Sequence, residues 1–306
     1  MKWNGVMPAM TTAFHPDLSI DHATVGRHAQ WLLENGCTGL VCLGSLGEAA
    51  TLSFSEKVDV LKTVVKAAGG MAPVVSAISA LSTAEAVELA RAASEVGCSG
   101  LMILPPYVYK GDWRENRAHV AAVLRTTPLP AMLYNNPVAY GTDYLPEQIA
   151  ELASEFANLT AVKESSTDVR RVTAIRALLG DRLAIFVGVD DAIVEGIAAG
   201  AVGWVAGLVN ALPRESVDLF EFASVGKTRE AFELYRWFLP LLQMDTVPKF
   251  IQLIKLVQAE AGIGTARVRP PRMEVVGTEL AVARACYERA QAERPAVAAR
   301  STAFPA

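Results

Sequence analysis

A short apolar run, a polar loop and an amphipathic segment recur in that order along this chain, and the alternation restricts the fold more than any other feature. The apolar runs, read as strands, occupy residues 5–10, 39–43, 73–78, 100–104, 130–134, 159–163, 184–187 and 202–206. Helical periodicity covers residues 21–35, 55–68, 83–96, 113–126, 146–156, 168–178, 190–199 and 213–224. Helix starts carry their own signals: Ser53 with Glu56 and Ser82 with Glu85 read as capping boxes, and Pro146 and Pro213 suit a first turn. Gly36, Gly97 and Gly200 stand where helices should end. Eight strand–helix units in about 225 residues match an α/β fold of the (β/α)8 TIM-barrel type. An open doubly wound sheet rarely has so regular a series and usually carries a phosphate fingerprint; neither GxGxxG nor GxxxxGK[ST] occurs here. The pattern divides the chain into a barrel over residues 1–226 and a C-terminal helical bundle over 227–306 packed on it. That second part holds helical segments at 228–242, 247–261 and 277–294, a loop at 269–271 and a frayed tail.

The 306 residues are 52% hydrophobic and 20% charged, with a net charge of −4, the balance of a globular protein. No basic run is present to neutralise a phosphate backbone, which argues against nucleic acid as a partner. No apolar stretch reaches the roughly 18–20 uncharged residues that span a bilayer, which argues against a membrane. The N-terminal Met1-Lys2-Trp3-Asn4-Gly5 lacks the parts of a signal peptide. Cys37, Cys42, Cys98 and Cys286 form no CxxC pair, and His15, His22, His28 and His119 do not fall at metal-ligand spacing. These features point to a cytoplasmic protein with reduced thiols and no metal or cofactor.

In such a barrel the reacting groups sit at the C-terminal ends of strands and in the loops after them. Four segments there carry chemistry. In Leu159-Thr-Ala-Val-Lys163-Glu164-Ser-Ser a lysine ends an apolar strand at the barrel mouth. Desolvation disfavours a charged amine, and a neutral amine condenses with a ketone to an imine. The plainer reading is a lysine that reaches solvent and pairs with Glu164. In Val41-Cys-Leu-Gly44-Ser45-Leu46-Gly47-Glu48, small residues between strand and helix either leave backbone N–H groups free for a carboxylate or simply make a turn. Tyr134, in Met132-Leu-Tyr134-Asn135-Asn136-Pro137, is either a proton carrier or a cover on the core rim. The aspartates of Val187-Gly188-Val-Asp190-Asp191 read first as caps of the following helix and only second as catalytic.

In this order and combination, GSLGE on the second strand, YNNP on the fifth, VKESS on the sixth and GVDD on the seventh resemble the dihydrodipicolinate synthase / N-acetylneuraminate lyase family of class I lyases. The resemblance covers the whole chain. It implies the same barrel, a Schiff base between Lys163 and the C2 carbonyl of a 2-oxo acid, and Tyr134 as the acid/base that assists imine formation. It also implies that Ser45 and the Leu46 N–H hold the substrate carboxylate, that the Val205 carbonyl faces the substrate near the imine, and that the enzyme is a homotetramer, a dimer of dimers. A protonated imine is an electron sink, so a bond at C3 or C4 breaks without a free carbanion.

Departures from the family pattern narrow the substrate. Dihydrodipicolinate synthases usually place an arginine two residues after YNxP, to bind the second substrate's carboxylate; this chain has Ala139. They carry two threonines where Ser45 and Leu46 stand, and a pair of tyrosines after the fourth strand, where this chain has Tyr107 and Val108. Sialic acid lyases generally keep a threonine in place of Leu46. GSLGE, YNNPVAYG and the run Trp237-Phe-Leu-Pro-Leu-Leu-Gln-Met-Asp245-Thr-Val-Pro-Lys249 look more like a hydroxyproline-catabolism branch. Its members convert 1-pyrroline-4-hydroxy-2-carboxylate to 2,5-dioxopentanoate and ammonia. The expected partner is therefore a small 2-oxo acid or pyrroline carboxylate, with Tyr140 lining its pocket. A 2-keto-3-deoxy-sugar-acid dehydratase or aldolase is the nearest alternative, dihydrodipicolinate synthesis a further one, and a non-catalytic ligand-binding barrel the alternative of another class. The intact Lys163, Tyr134 and Ser45 argue against the last.

Overall fold

A computed structural model describes residues 1–106 and 109–305, so the expectations for Tyr107 and Val108 lie outside the described residues. Eight parallel strands form one sheet: β1 (Gly5–Pro8), β2 (Leu40–Cys42), β3 (Val74–Ile78), β4 (Gly100–Ile103), β5 (Ala131–Asn135), β6 (Leu159–Glu164), β7 (Ala184–Val187) and β8 (Gly203–Ala206). Their order is β1-β8-β7-β6-β5-β4-β3-β2. A parallel bridge between Ala9 and Val41 joins the two ends and closes the barrel. Every expected strand is present, with ends moved by one or two residues at most.

The helices around the sheet are α1 (His22–Glu34), α2 (Phe54–Ala68), α3 (Thr83–Val96), α4 (Trp113–Leu124), the single turn α5 (Pro137–Tyr140), α6 (Pro146–Glu155), α7 (Arg170–Leu179), α8 (Ile193–Ala198) and α9 (Pro213–Ser224). Ser53 forms the expected capping box: its hydroxyl accepts from the Glu56 amide, and the Glu56 carboxylate accepts from the Ser53 amide at 2.8 Å. Ser82 is a one-sided cap, because the Glu85 carboxylate turns away to the Lys57 ammonium at 2.9 Å.

Three further helices follow: α10 (Thr228–Leu242), α11 (Phe250–Glu260) and α12 (Gly277–Ala292). Helix α11 starts later than its periodicity predicts. Val247 precedes Pro248, whose ring clashes with a helical residue before it, and Val247 is accordingly extended. A 3-10 turn at Gln243–Thr246 fills the space between α10 and that break. One hydrophobic cluster runs from the strands into Leu234, Phe238 and Ile254 of these helices. Helix α11 also sends Lys255 into the barrel mouth, where its ammonium donates to Glu48 and to the Thr12 carbonyl, both at 2.9 Å. The loop after it, residues 269–271, is held by Arg269, whose guanidinium forks onto Glu56 while its amide donates to Glu48 at 2.9 Å. No helix among the described residues is long and apolar enough to cross a membrane.

Candidate active site

Successive side chains of β6 point to opposite faces, and this separates Lys163 from Glu164. Glu164 accepts from the Asn135 amide group at 3.0 Å and from the Ser166 backbone N–H at 2.6 Å, and burial holds its carboxyl above the ordinary range. Lys163 faces the barrel interior, 6% exposed, so the reading in which it reaches solvent and pairs with Glu164 fails. Its neighbour in register on β5 is Tyr134, and the lysine Nζ lies 4.2 Å from the centre of that ring.

The loop after β5 completes this wall. Pro137 opens α5, Asn136 caps it through the Ala139 amide, and the Asn136 side chain also donates to the Tyr134 hydroxyl at 3.0 Å. Tyr140 ends the turn with its ring edge-on to Tyr134, centroids 5.7 Å apart, and its hydroxyl is hydrogen-bonded to Ser45. After β2, Leu43 and Glu48 both adopt left-handed backbone angles, φ 64° and 57°, which non-glycine residues seldom hold. The resulting tight loop presents the Leu46 N–H, which donates to no described residue. The buried Glu48–Lys255 pair and the Arg269 amide fix the loop's far end.

Lys163, Tyr134, Ser45, Leu46, Val205 and Tyr140 all line one cavity of about 490 Å³. Two close approaches shape it. A methyl group on Gly188, after β7, would stand 2.5 Å from Lys163 Cε, so a glycine leaves the lysine its room. A methyl group on Gly207, after β8, would stand 2.1 Å from Asp245 Oδ1. Val138 and Ala139 line the cavity beside Tyr134 and contribute no charge to it.

Asp190 does not cap the helix that follows it. Its carboxylate reaches across to β8, accepting from the Trp204 indole at 3.0 Å and the Gly207 and Leu208 amides at 3.1 and 2.7 Å. Burial pushes it up to about 6. The segment after it accordingly opens as a 3-10 turn, Asp190–Ala192, before α8 begins.

The structure adds Ser165, Asp245 and Arg272 to the cavity wall. The Ser165 hydroxyl is buried without a hydrogen-bond partner among the described residues. Arg272 faces Glu48 at 3.9 Å. Asp245 and Arg272 come from the C-terminal segment, whose path over the barrel mouth no periodicity predicts.

The thiols and imidazoles lie elsewhere. Burial pushes Cys98 up to about 12 and raises Cys37 and Cys42 as well, which suppresses thiolate chemistry. His28 is buried, lowered to about 4, and bonded to the Asn210 carbonyl at 2.9 Å.

Residues 2–285 match the model of the dihydrodipicolinate synthetase family. The 4-hydroxy-tetrahydrodipicolinate synthase of Desulforamulus reducens is 30% identical over 275 residues, 90% of this chain and 93% of that protein. The enzyme of the same name from Acidithiobacillus ferrooxidans is 36% identical over 224 residues, 73% of this chain and 77% of that protein. Among solved structures, the 4-hydroxy-tetrahydrodipicolinate synthase of Methylacidiphilum fumariolicum superposes with a TM-score of 0.92 at 26% identity, covering 95% of this chain and 97% of that one. The dihydrodipicolinate synthase of Aquifex aeolicus gives 0.91 at 27% identity, with coverage of 94% and 98%.

Proposed function

The chain belongs to the dihydrodipicolinate synthetase family of class I Schiff-base lyases, and within it we propose that this enzyme opens and deaminates 1-pyrroline-4-hydroxy-2-carboxylate to 2,5-dioxopentanoate and ammonia through an imine on Lys163. The observation that carries the choice of substrate is Ala139. The named relatives make a dicarboxylate, and the resemblance puts an arginine at this place to hold the second carboxylate. Here Val138 and Ala139 bring no charge to that place, which suits a compact monocarboxylate. Arg272, also in the cavity, is turned toward the Glu48 carboxylate.

In this reading Ser45 and the Leu46 N–H receive the substrate carboxylate, a backbone anion site of the kind that tight strand–helix turns make. The Lys163 amine attacks C2 of the ring imine, and the ring nitrogen leaves as a primary amine, opening the ring. Loss of a C3 proton gives an enamine, and loss of the 4-hydroxyl as water gives a conjugated imine. Transfer of a proton from C5 then moves unsaturation to the terminal amine, and water releases ammonia there and 2,5-dioxopentanoate from Lys163. Tyr134, beside the lysine, carries protons between these steps.

A coupled assay for ammonia from the pyrroline tests the reading, and no ammonia above background contradicts it. Turnover of pyruvate with aspartate semialdehyde would favour the relatives' named reaction. Water or pyruvate released from a linear 2-keto-3-deoxy-sugar acid would favour the dehydratase or aldolase.

A further inference from the structure

The buried carboxylates among the described residues are held by donors, whereas a half-buried one in the cavity wall is not. Glu48 accepts from Lys255 and the Arg269 amide, Glu164 from Asn135 and Ser166, Asp190 from three donors, and Glu215 from Arg294 and Ser301. Asp245, on the 3-10 turn Gln243–Thr246, accepts from no described residue. Part of its surface opens into the cavity that also holds Lys163 and Tyr134, while the rest is crowded by protein. It is seated by close approach: Gly207 has an ordinary backbone angle, φ −89°, yet any side chain there would strike the Asp245 carboxylate. Burial raises the Asp245 carboxyl well above the ordinary range, and the neighbouring Asp190 charge raises it further, against the attraction of Lys163. A carboxyl in the cavity wall that no described donor holds, in surroundings that favour its protonated form, is placed to give a proton to a bound molecule.

We propose that Asp245 is a catalytic acid that delivers its proton to the hydroxyl leaving from C4 of the imine-bound substrate. From the enamine, the nitrogen lone pair re-forms the bond to C2, the C2–C3 π pair becomes C3–C4, and the C4–O bond breaks. The oxygen takes the Asp245 proton and departs as water, leaving an iminium cation and an Asp245 carboxylate. The inference rests on the imine reading above and narrows its substrates to 4-hydroxylated 2-oxo acids and their cyclic imines. It does not require the pyrroline in particular.

Wild type, Asp245→Asn, Asp245→Ser and Asp245→Glu are each assayed with the pyrroline for ammonia and with a linear 2-keto-3-deoxy-pentonate for elimination of water, and each is trapped with pyruvate and borohydride. The proposal expects Asp245→Asn to lose at least about 100-fold in elimination, with trapping at Lys163 retained and Asp245→Glu recovering part of the rate. Elimination by Asp245→Asn within threefold of wild type overturns it. So does loss of trapping in both Asp245→Asn and Asp245→Ser, which would make the residue structural. A wild type that traps pyruvate but eliminates from neither substrate also overturns it. If only the linear acid reacts, the pyrroline reading falls, and the Asp245 variants on that acid decide this proposal separately.

Discussion

Lys163 and Tyr134 are partners in register across β6 and β5, with the lysine Nζ 4.2 Å from the centre of the phenol ring. The ring packs beside the amine and the hydroxyl is bonded to Asn136, so the two parts of the side chain can be separated by mutation. Tyr134→Phe keeps the packing and removes only the hydroxyl. The expected loss in kcat is about 100-fold or more, read in the ammonia assay. Activity within twofold of wild type would remove Tyr134 from proton transfer.

Gly188 and Gly207 make a second test, because each is seated against a different cavity group. A methyl group at Gly188 would meet Ser165 Oγ at 1.9 Å and Lys163 Cε at 2.5 Å. Gly188→Ala should therefore displace the lysine and abolish imine trapping. A methyl group at Gly207 would meet the Asp245 carboxylate. Gly207→Ala should keep trapping and lose turnover. Equal trapping by both variants would contradict the separation of the two roles.

The Glu48–Lys255 pair lies under the GSLGE loop at 2.9 Å, with its side chains 0% and 2% exposed. Breaking one side of such a pair leaves an uncompensated buried charge. Lys255→Met should cost about 3–5 kcal/mol in urea unfolding, and adding Glu48→Gln should recover part of it. A single-variant loss below about 1 kcal/mol would contradict the view that this pair holds the loop.

His28 links stability to pH. Its folded value is about 4 against an ordinary 6.5, because burial disfavours the charged ring. The unfolded chain binds the extra proton first, so this residue's contribution is fully present above pH 6.5 and is lost as pH falls toward 4. The full effect is about 3 kcal/mol. Asp190 has the opposite sign: its folded value is raised to about 6 from 3.8, so its contribution is lost as pH rises through that window. The difference in unfolding free energy between wild type and His28→Gln, followed from pH 7 to pH 4, isolates the histidine. It should shrink as the pH falls, and a difference independent of pH would contradict the assignment.

The barrel was readable from sequence because strand and helix periods differ and each element buries one face. The strand ends that carry Lys163 and Tyr134 were readable for the same reason. The loops were less so. Asp190 reads as a helix cap because it directly precedes a helix, but its carboxylate has stronger partners in the Trp204 indole and two amides on and after the neighbouring strand β8. Helix α11 starts later than the hydrophobic periodicity implies, because that periodicity continues through Val247-Pro248, where backbone sterics forbid a helix. Asp245 and Arg272 reach the cavity only through tertiary folding of the C-terminal segment, and no local pattern encodes that path.

An imine on Lys163 is tested by borohydride trapping with pyruvate followed by peptide mass analysis. A reduced pyruvate adduct is expected on the peptide containing Lys163, and none in Lys163→Arg. No adduct at Lys163 under conditions where pyruvate is shown to bind, or an adduct on a different lysine, would contradict it.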